Sequence, residues 1–190
     1  MRQIPIAILA AALSWSGCAW TAQQIELAPR VDIRASQFGK GSTVALEVQD
    51  DRTSKVLGTK VPVGGGQITT KNSLLEVVQT GIERGLQDQG FRVEGKSLNS
   101  PRALTVEIRA LDYRTAQGFW AGTVTADAAL EGICTHDGVR RVEKMFRGSR
   151  EDSIQVAQSD YWVQQYVDGA LADAMKGLLL DAELLKCLAQ

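Results

Sequence analysis

Three cysteines, one histidine and a few adjacent acids are the residues of this 190-residue chain that could do chemistry. Cys18 closes the run Ser16-Gly17-Cys18-Ala19, which follows an apolar stretch, Ile4 to Leu13, with Arg2 in front of it. A short hydrophobic start that ends in small residues directly before a cysteine is the pattern of a secretory leader whose removal exposes a thiol for acylation. The expectation is a leader over residues 1–17, cleavage after Gly17 and lipidation of Cys18, palmitate included. Trp15 stands where the pattern commonly has an aliphatic residue, so a plain secretory leader cut elsewhere is the other reading. A membrane-spanning helix is disfavoured by length: crossing takes about 20 apolar residues, and Ser14, Ser16 and Gly17 stop the run first.

The remaining reactive side chains do not converge. Cys134 and Cys187 are an even pair in an exported chain; they could join as a disulfide or stand as two small buried hydrophobes. His136 sits beside Asp137-Gly138, and a turn explains that aspartate better than an orienting role for a catalytic histidine. A zinc site needs several His or Cys ligands, and the chain has too few. Asp50 and Asp51 are consecutive at a strand end, so their carboxylates point to opposite faces. Gly64-Gly65-Gly66 is followed by Gln67-Ile68, not by the Lys-Ser or Lys-Thr of a phosphate cradle, and reads as a loop. Phe119 and Trp120 occupy a bend, where they could form a partner contact or place one ring in the core and one along the sheet. No catalytic, metal or cofactor-binding residue is assigned, no cofactor is expected, and an enzyme is not expected.

Composition narrows the partners. Lys plus Arg number 21 against 22 Asp plus Glu, for a formal charge of −1. Export and the lack of a basic excess both disfavour nucleic acid. Removing 17 of the 190 residues leaves 173, the size of one domain.

The elements follow from periodicity and caps. Residues 18–42 read as the lipidated cysteine and a tether or extended arm, and 43–190 as one periplasmic domain. If residues 19–42 were fully flexible, their reach would be about 27 Å; Ile25-Glu26-Leu27 alternates and could add a short edge strand. Thr43 to Asp50 alternates as a half-buried strand, and 51–72 is a Gly- and Pro-containing loop. Ser73-Leu74-Leu75-Glu76 is a capping box that opens a helix ending at Gly90, with Gly81 and Gly85 inside it marking close approach to a sheet or mere tolerance. Strands follow at Phe91 to Glu94, Ala103 to Tyr113 (Leu104, Val106, Ile108 and Ala110 on one side) and Phe119 to Thr135 (Cys134 inward). The Asp137-Gly138 hairpin turn then leads into Val139 to Ser149. Ser159 caps a last long helix whose apolar pairs begin at Trp162-Val163, and Asp181 starts a short final turn. The expected class is α+β, a two-layer sandwich of a mixed, mainly antiparallel sheet of about five strands with two main helices on one face.

Together the acylation pattern, Ile25-Glu26-Leu27 with Pro29, Asp50-Asp51-Arg52, Lys55-Val56-Leu57-Gly58-Thr59-Lys60 and Gly90-Phe91-Arg92-Val93 resemble the YajG family of bacterial lipoproteins. Family members often have Pro and Arg where this chain has Thr53 and Lys60, and no role is carried over to those two positions. The resemblance implies an outer-membrane lipoprotein on the periplasmic face, of uncharacterised biochemical role, with no catalytic residues to transfer. Ala19 after the cysteine, where Asp would favour inner-membrane retention, points the same way. The leading function is a non-enzymatic binding or scaffolding role in envelope assembly or maintenance, with the membrane through acylated Cys18 and an unidentified envelope protein as partners. An accessory lipoprotein of a transport or export complex is the alternative, and a peptidoglycan hydrolase ranks last.

Overall fold

The computed structural model describes residues 21–62, 65–95, 100–117, 122–154 and 159–190. In chain order the elements are β1 (Gln23–Ile25), β2 (Thr43–Asp50), β3 (Gly58–Thr59), β4 (Gln67–Thr70), α1 (Leu74–Asp88), β5 (Arg92–Gly95), β6 (Arg102–Gln117), β7 (Gly122–His136), β8 (Val139–Ile154), α2 (Asp160–Leu180) and α3 (Ala182–Ala189).

Local rules set most of these. Val44, Leu46 and Val48 of β2 are buried as alternation requires. The Ser73 hydroxyl accepts from the Glu76 amide at 3.3 Å, and Gly90, at φ 85°, closes the helix with the left-handed residue that a C-terminal stop calls for. Asp137 and Gly138 both have positive φ, 49° and 76°, the two-residue turn whose twist matches a hairpin. At α2 the expected cap is absent: Ser159 makes no side-chain capping bond. At α3 Asp181 supplies one, its Oδ1 accepting from Glu183 at 3.1 Å and Leu184 at 2.8 Å.

The sheet has eight strands instead of about five. β1 is the short edge strand that Ile25-Glu26-Leu27 offered, set two residues earlier, whereas β3 and β4, of two and four residues, are too short to carry a pattern and lie inside the stretch expected as loop. Pairing is mixed. β6, β7 and β8 form two long antiparallel ladders, whereas β1–β4, β2–β5, β2–β6 and β3–β6 are parallel.

One edge of β6 serves two strands in succession. β2 pairs with Ala103 to Ile108, β3 pairs at Tyr113, and between them the register slips at a bulge between Ile108 and Ala110. A bulge adds one residue and so flips the alternation beyond it. Leu104, Val106 and Ile108 face the core as expected, but Leu111 and Tyr113 take the inward places after the bulge and Ala110 does not. Arg109, at the bulge, turns outward among Asp51, Glu107 and Glu131.

Three helices pack on this sheet, and their buried side chains join those of the strands in one core. Gly81 and Gly85 mark helix-to-helix rather than helix-to-sheet approach. A Cβ on Gly81 would lie 2.2 Å from Met175 Cε, and one on Gly85 would lie 2.3 Å from Leu179 Cδ1. Gly148 plays the same part for α2 against β8: its Cβ would fall 2.0 Å from the Ala170 carbonyl oxygen. Within α2 the buried stripe runs from Val163 through Val167, Leu171 and Met175 to Leu179, and Trp162 lies outside it.

The structure joins Cys134 of β7 to Cys187 of α3, with Cα atoms 6.4 Å apart across 53 residues of sequence. Closing a loop of that length restricts the unfolded chain by about 4 kcal/mol in the chain-entropy model. The oxidised protein is therefore expected to be two hydrogen atoms lighter than the reduced form. Cys187→Ala should lower the melting temperature by roughly 10 °C. Intact mass under denaturing, non-reducing conditions and thermal melts check this; two free thiols in protein isolated without reductant would contradict it.

Candidate functional site

The segment after β1 is the least regular part of the chain and the most heavily pinned. The Asn72 side chain grips Leu27 at both polar groups: Oδ1 accepts from Leu27 N at 2.9 Å and Nδ2 donates to Leu27 O at 2.8 Å. Ala28 N donates to Asp168 Oδ1 of α2 at 2.9 Å. Further on, Ser36 N donates to Asp88 O, Gly39 N to Gln89 O and Gly41 N to Gly90 O, at 2.8, 2.9 and 2.8 Å, and Ser36 Oγ donates to Gln89 Oε1. Residues 29–35 are thus a strap fixed at both ends, with half-buried Val31 and Ile33 against the core. Within residues 23–42, expected as a tether or extended arm, β1, Leu27, Ala28, Ser36, Gly39 and Gly41 are hydrogen-bonded to the rest of the domain.

The strap leaves space on either side. A cavity of about 790 Å³ lies between it and α1, bordered by Val77, Thr80 and Arg84. A second of about 580 Å³ lies on its α2 side, bordered by Gln164, Arg150 and Lys176. Arg30 and Asp32 border both. Charges of both signs alternate along the groove, and Arg150 is paired with Asp173 at 2.8 Å. Such a lining favours hydrogen bonding and shape over net charge in whatever it holds.

Asp168 is the electrostatic exception. It is only 8% exposed, and burial raises its carboxyl above the ordinary aspartate range, opposed by the bonds from Ala28 N and the Gln164 side chain. A carboxylate here holds the strap to α2 at a desolvation cost.

The residues singled out from sequence are dispersed. Gly17, Cys18, Phe119 and Trp120 lie outside the described residues. Cys134 of β7 and Cys187 of α3 are joined to each other, and neither borders the groove. His136 Nε2 is 3.6 Å from Asp137 Oδ2 at the hairpin turn. Asp50 and Asp51 diverge: Asp50 accepts from Arg52 Nε at 2.8 Å and Lys55 Nζ at 2.5 Å, while Asp51 turns to Arg109 at 3.2 Å. The Arg52 guanidinium first of all, then Lys55, holds the Asp50 carboxyl well below its usual range. This network closes the loop that carries the chain from β2 past the bulge to β3. Among the described residues no group of His, Cys, Asp or Glu is arranged to hold a metal ion, and no helix is long and apolar enough to cross a membrane.

Sequence reasoning did not find Asn72 or Asp168. Their partners lie 45 and 140 residues away, and the one available signal was an aspartate adjoining the apolar stripe of α2.

Comparison places the chain. Residues 29–189 match the family model described as uncharacterized lipoprotein. No curated protein sequence matches. A Xanthomonas campestris protein of known structure superposes with a TM-score of 0.59 at 12% identity, covering 87% of this chain and 96% of that one. A neuraminyllactose-binding hemagglutinin homolog from Helicobacter pylori superposes with a TM-score of 0.53 at 8% identity, covering 85% and 97%. At these identities the likeness is one of fold.

Because its folded-state pKa is raised, Asp168 takes up a proton on folding. Its contribution to stability therefore falls as pH rises from the unfolded aspartate range through the folded pKa, and is level above it. Asp168→Asn keeps an acceptor for Ala28 N and removes the buried charge, so it should be at least as stable as the parent at pH 7. Asp168→Ala leaves that amide unpaired and should lose about 1–3 kcal/mol. Urea titrations at pH 7 measure both; equal destabilisation by the two substitutions would contradict the assignment.

Proposed function

Because the chain belongs to the YajG family of uncharacterized lipoproteins, we propose that Cys18, acylated after cleavage following Gly17, anchors it to the periplasmic face of the outer membrane, where the domain binds or scaffolds an envelope protein without catalysis. The observation that carries the binding reading is the strap. A segment pinned at residues 27–28 and again at 36–41 crosses two helices and stands over cavities on both sides. That is a preformed groove with fixed walls, which a partner can enter without first paying to order it. The reactive side chains support the same reading, since His136 is engaged at a turn and the carboxylates of Asp50 and Asp51 diverge to separate ion pairs. A disulfide between Cys134 and Cys187 fits an oxidising compartment.

Photocrosslinking residues placed at Thr80 and Gln165, one on each side of the strap, test the reading in living cells. Both are expected to yield the same single envelope-protein adduct, and Arg141, exposed on β8, none. Mass spectrometry of the same preparation should find diacylglyceryl and acyl mass on Cys18. Turnover of an envelope substrate by the purified domain, or an unmodified Cys18, would overturn the proposal.

A further inference from the structure

We propose that the domain lies directly on the bilayer it is anchored to, touching the lipid headgroup layer with Tyr161 and Trp162 at the start of α2. This rests on the acylation of Cys18 proposed above and adds which face meets the membrane.

The leash between an acylated Cys18 and the sheet is short. β1 is already hydrogen-bonded into the sheet at Gln23, and the described chain starts at Thr21. Thr21 is three positions after Cys18, and three fully extended steps of the chain span about 10 Å. An acylated Cys18 has its chains in the bilayer, so the end of the domain that holds Thr21 cannot stand far from the headgroups.

A chain of contacts identifies that end. The Thr21 carbonyl packs against Gly66 so closely that a Cβ there would lie 1.8 Å from its oxygen. Gly66 O accepts from Lys60 N at 3.1 Å, and Lys60 Nζ lies 3.7 Å from Asp160 Oδ1. Asp160 is the first residue of α2, and the next two are Tyr161 and Trp162, 63% and 51% exposed. The short leash and the two exposed rings therefore share one end of the molecule.

The rings have the chemistry of an interfacial contact. Tyr and Trp combine an apolar body with a polar tip, which suits the headgroup layer. They are held rather than loose: Tyr161 meets Trp162 edge to face with centroids 5.5 Å apart. Trp162 leans on Tyr166 at 6.4 Å, and the Tyr166 hydroxyl donates to Asp152 at 2.9 Å. The charged groups at this end are of both signs: Lys60, Asp160 and Asp152 stand near the rings, and the second cavity, which Tyr161 also borders, sets Arg30, Arg150 and Lys176 against Asp32, Asp168 and Asp173. The contact is thus one of aromatic partitioning and needs no anionic lipid.

The test uses the acylated full chain carrying Trp20→Phe and Trp120→Phe, so that Trp162 is the sole tryptophan after leader removal, reconstituted in phosphatidylcholine vesicles. Trp162 emission should shift to the blue and be quenched most by lipids brominated near the headgroup, unchanged by high salt. A flexible twelve-residue insert after Trp20 should leave the quenching in place if the rings themselves favour the interface. Vesicle flotation with unquenched Trp162 overturns the contact while leaving the anchor intact. A blue shift that instead grows with protein concentration in the absence of vesicles assigns the rings to a second copy of the chain, and also overturns it. Absence of acyl mass on Cys18 overturns the anchor and the contact together.

Discussion

The edge of β6 that faces away from β7 is the constraint on which the strap and its groove depend. β2 pairs along this edge as far as Asp50 opposite Ile108, β6 bulges against β7 between Ile108 and Ala110, and β3 takes up the same edge at Tyr113, with the Tyr113 amide on the Leu57 carbonyl at 2.7 Å. β4 then pairs with β3, and β1 with β4. The start of the described chain is therefore built into the sheet through three successive pairings that lead back to that edge of β6. The irregular Asp-Arg to Leu-Gly stretch that carries the family resemblance is the connection this geometry requires, closed by Arg52 and Lys55 on Asp50.

From that frame the strap follows. Once β1 is in the sheet, the chain must cross from it to β2, and it does so over α1 and α2, the helices that Gly81 and Gly85 allow to touch. Polar side chains hold the crossing at its first end and backbone carbonyls of the α1 C-terminus hold it at its second. The result is a domain in which the described chain from Gln23 onward, the sheet edge and the groove are parts of one hydrogen-bonded path.

What could be read from sequence was what local physics determines. The Thr43 to Asp50 alternation, the Ser73 cap, the Gly90 stop and the Asp137-Gly138 turn each have a cause within a few residues, and each stands as expected. The strands β3 and β4 have no such cause; two to four residues become a strand only because a partner is present. Asn72 and Asp168 act across long sequence separations, so no spacing announced them. Ala110 and Trp162 show the other failure: a period was extended past the point where the structure breaks it, at a bulge in one case and at an exposed helix end in the other. For the site, sequence pointed to Cys18 and to an aromatic bend, whereas the groove and the exposed Tyr161 and Trp162 emerged only from the fold.

The central claim is that the chain becomes part of the domain almost at once after Cys18. Hydrogen exchange of the backbone amides of Leu27 and Ala28 in the full-length mature protein tests it most directly, because each donates to a side chain of a different element, Asn72 and Asp168. The account predicts protection of both amides comparable to that of β4, with Ala28 losing its protection in Asp168→Ala. Exchange of both at the rate of an unstructured peptide, while β2 and β6 stay protected, would contradict it.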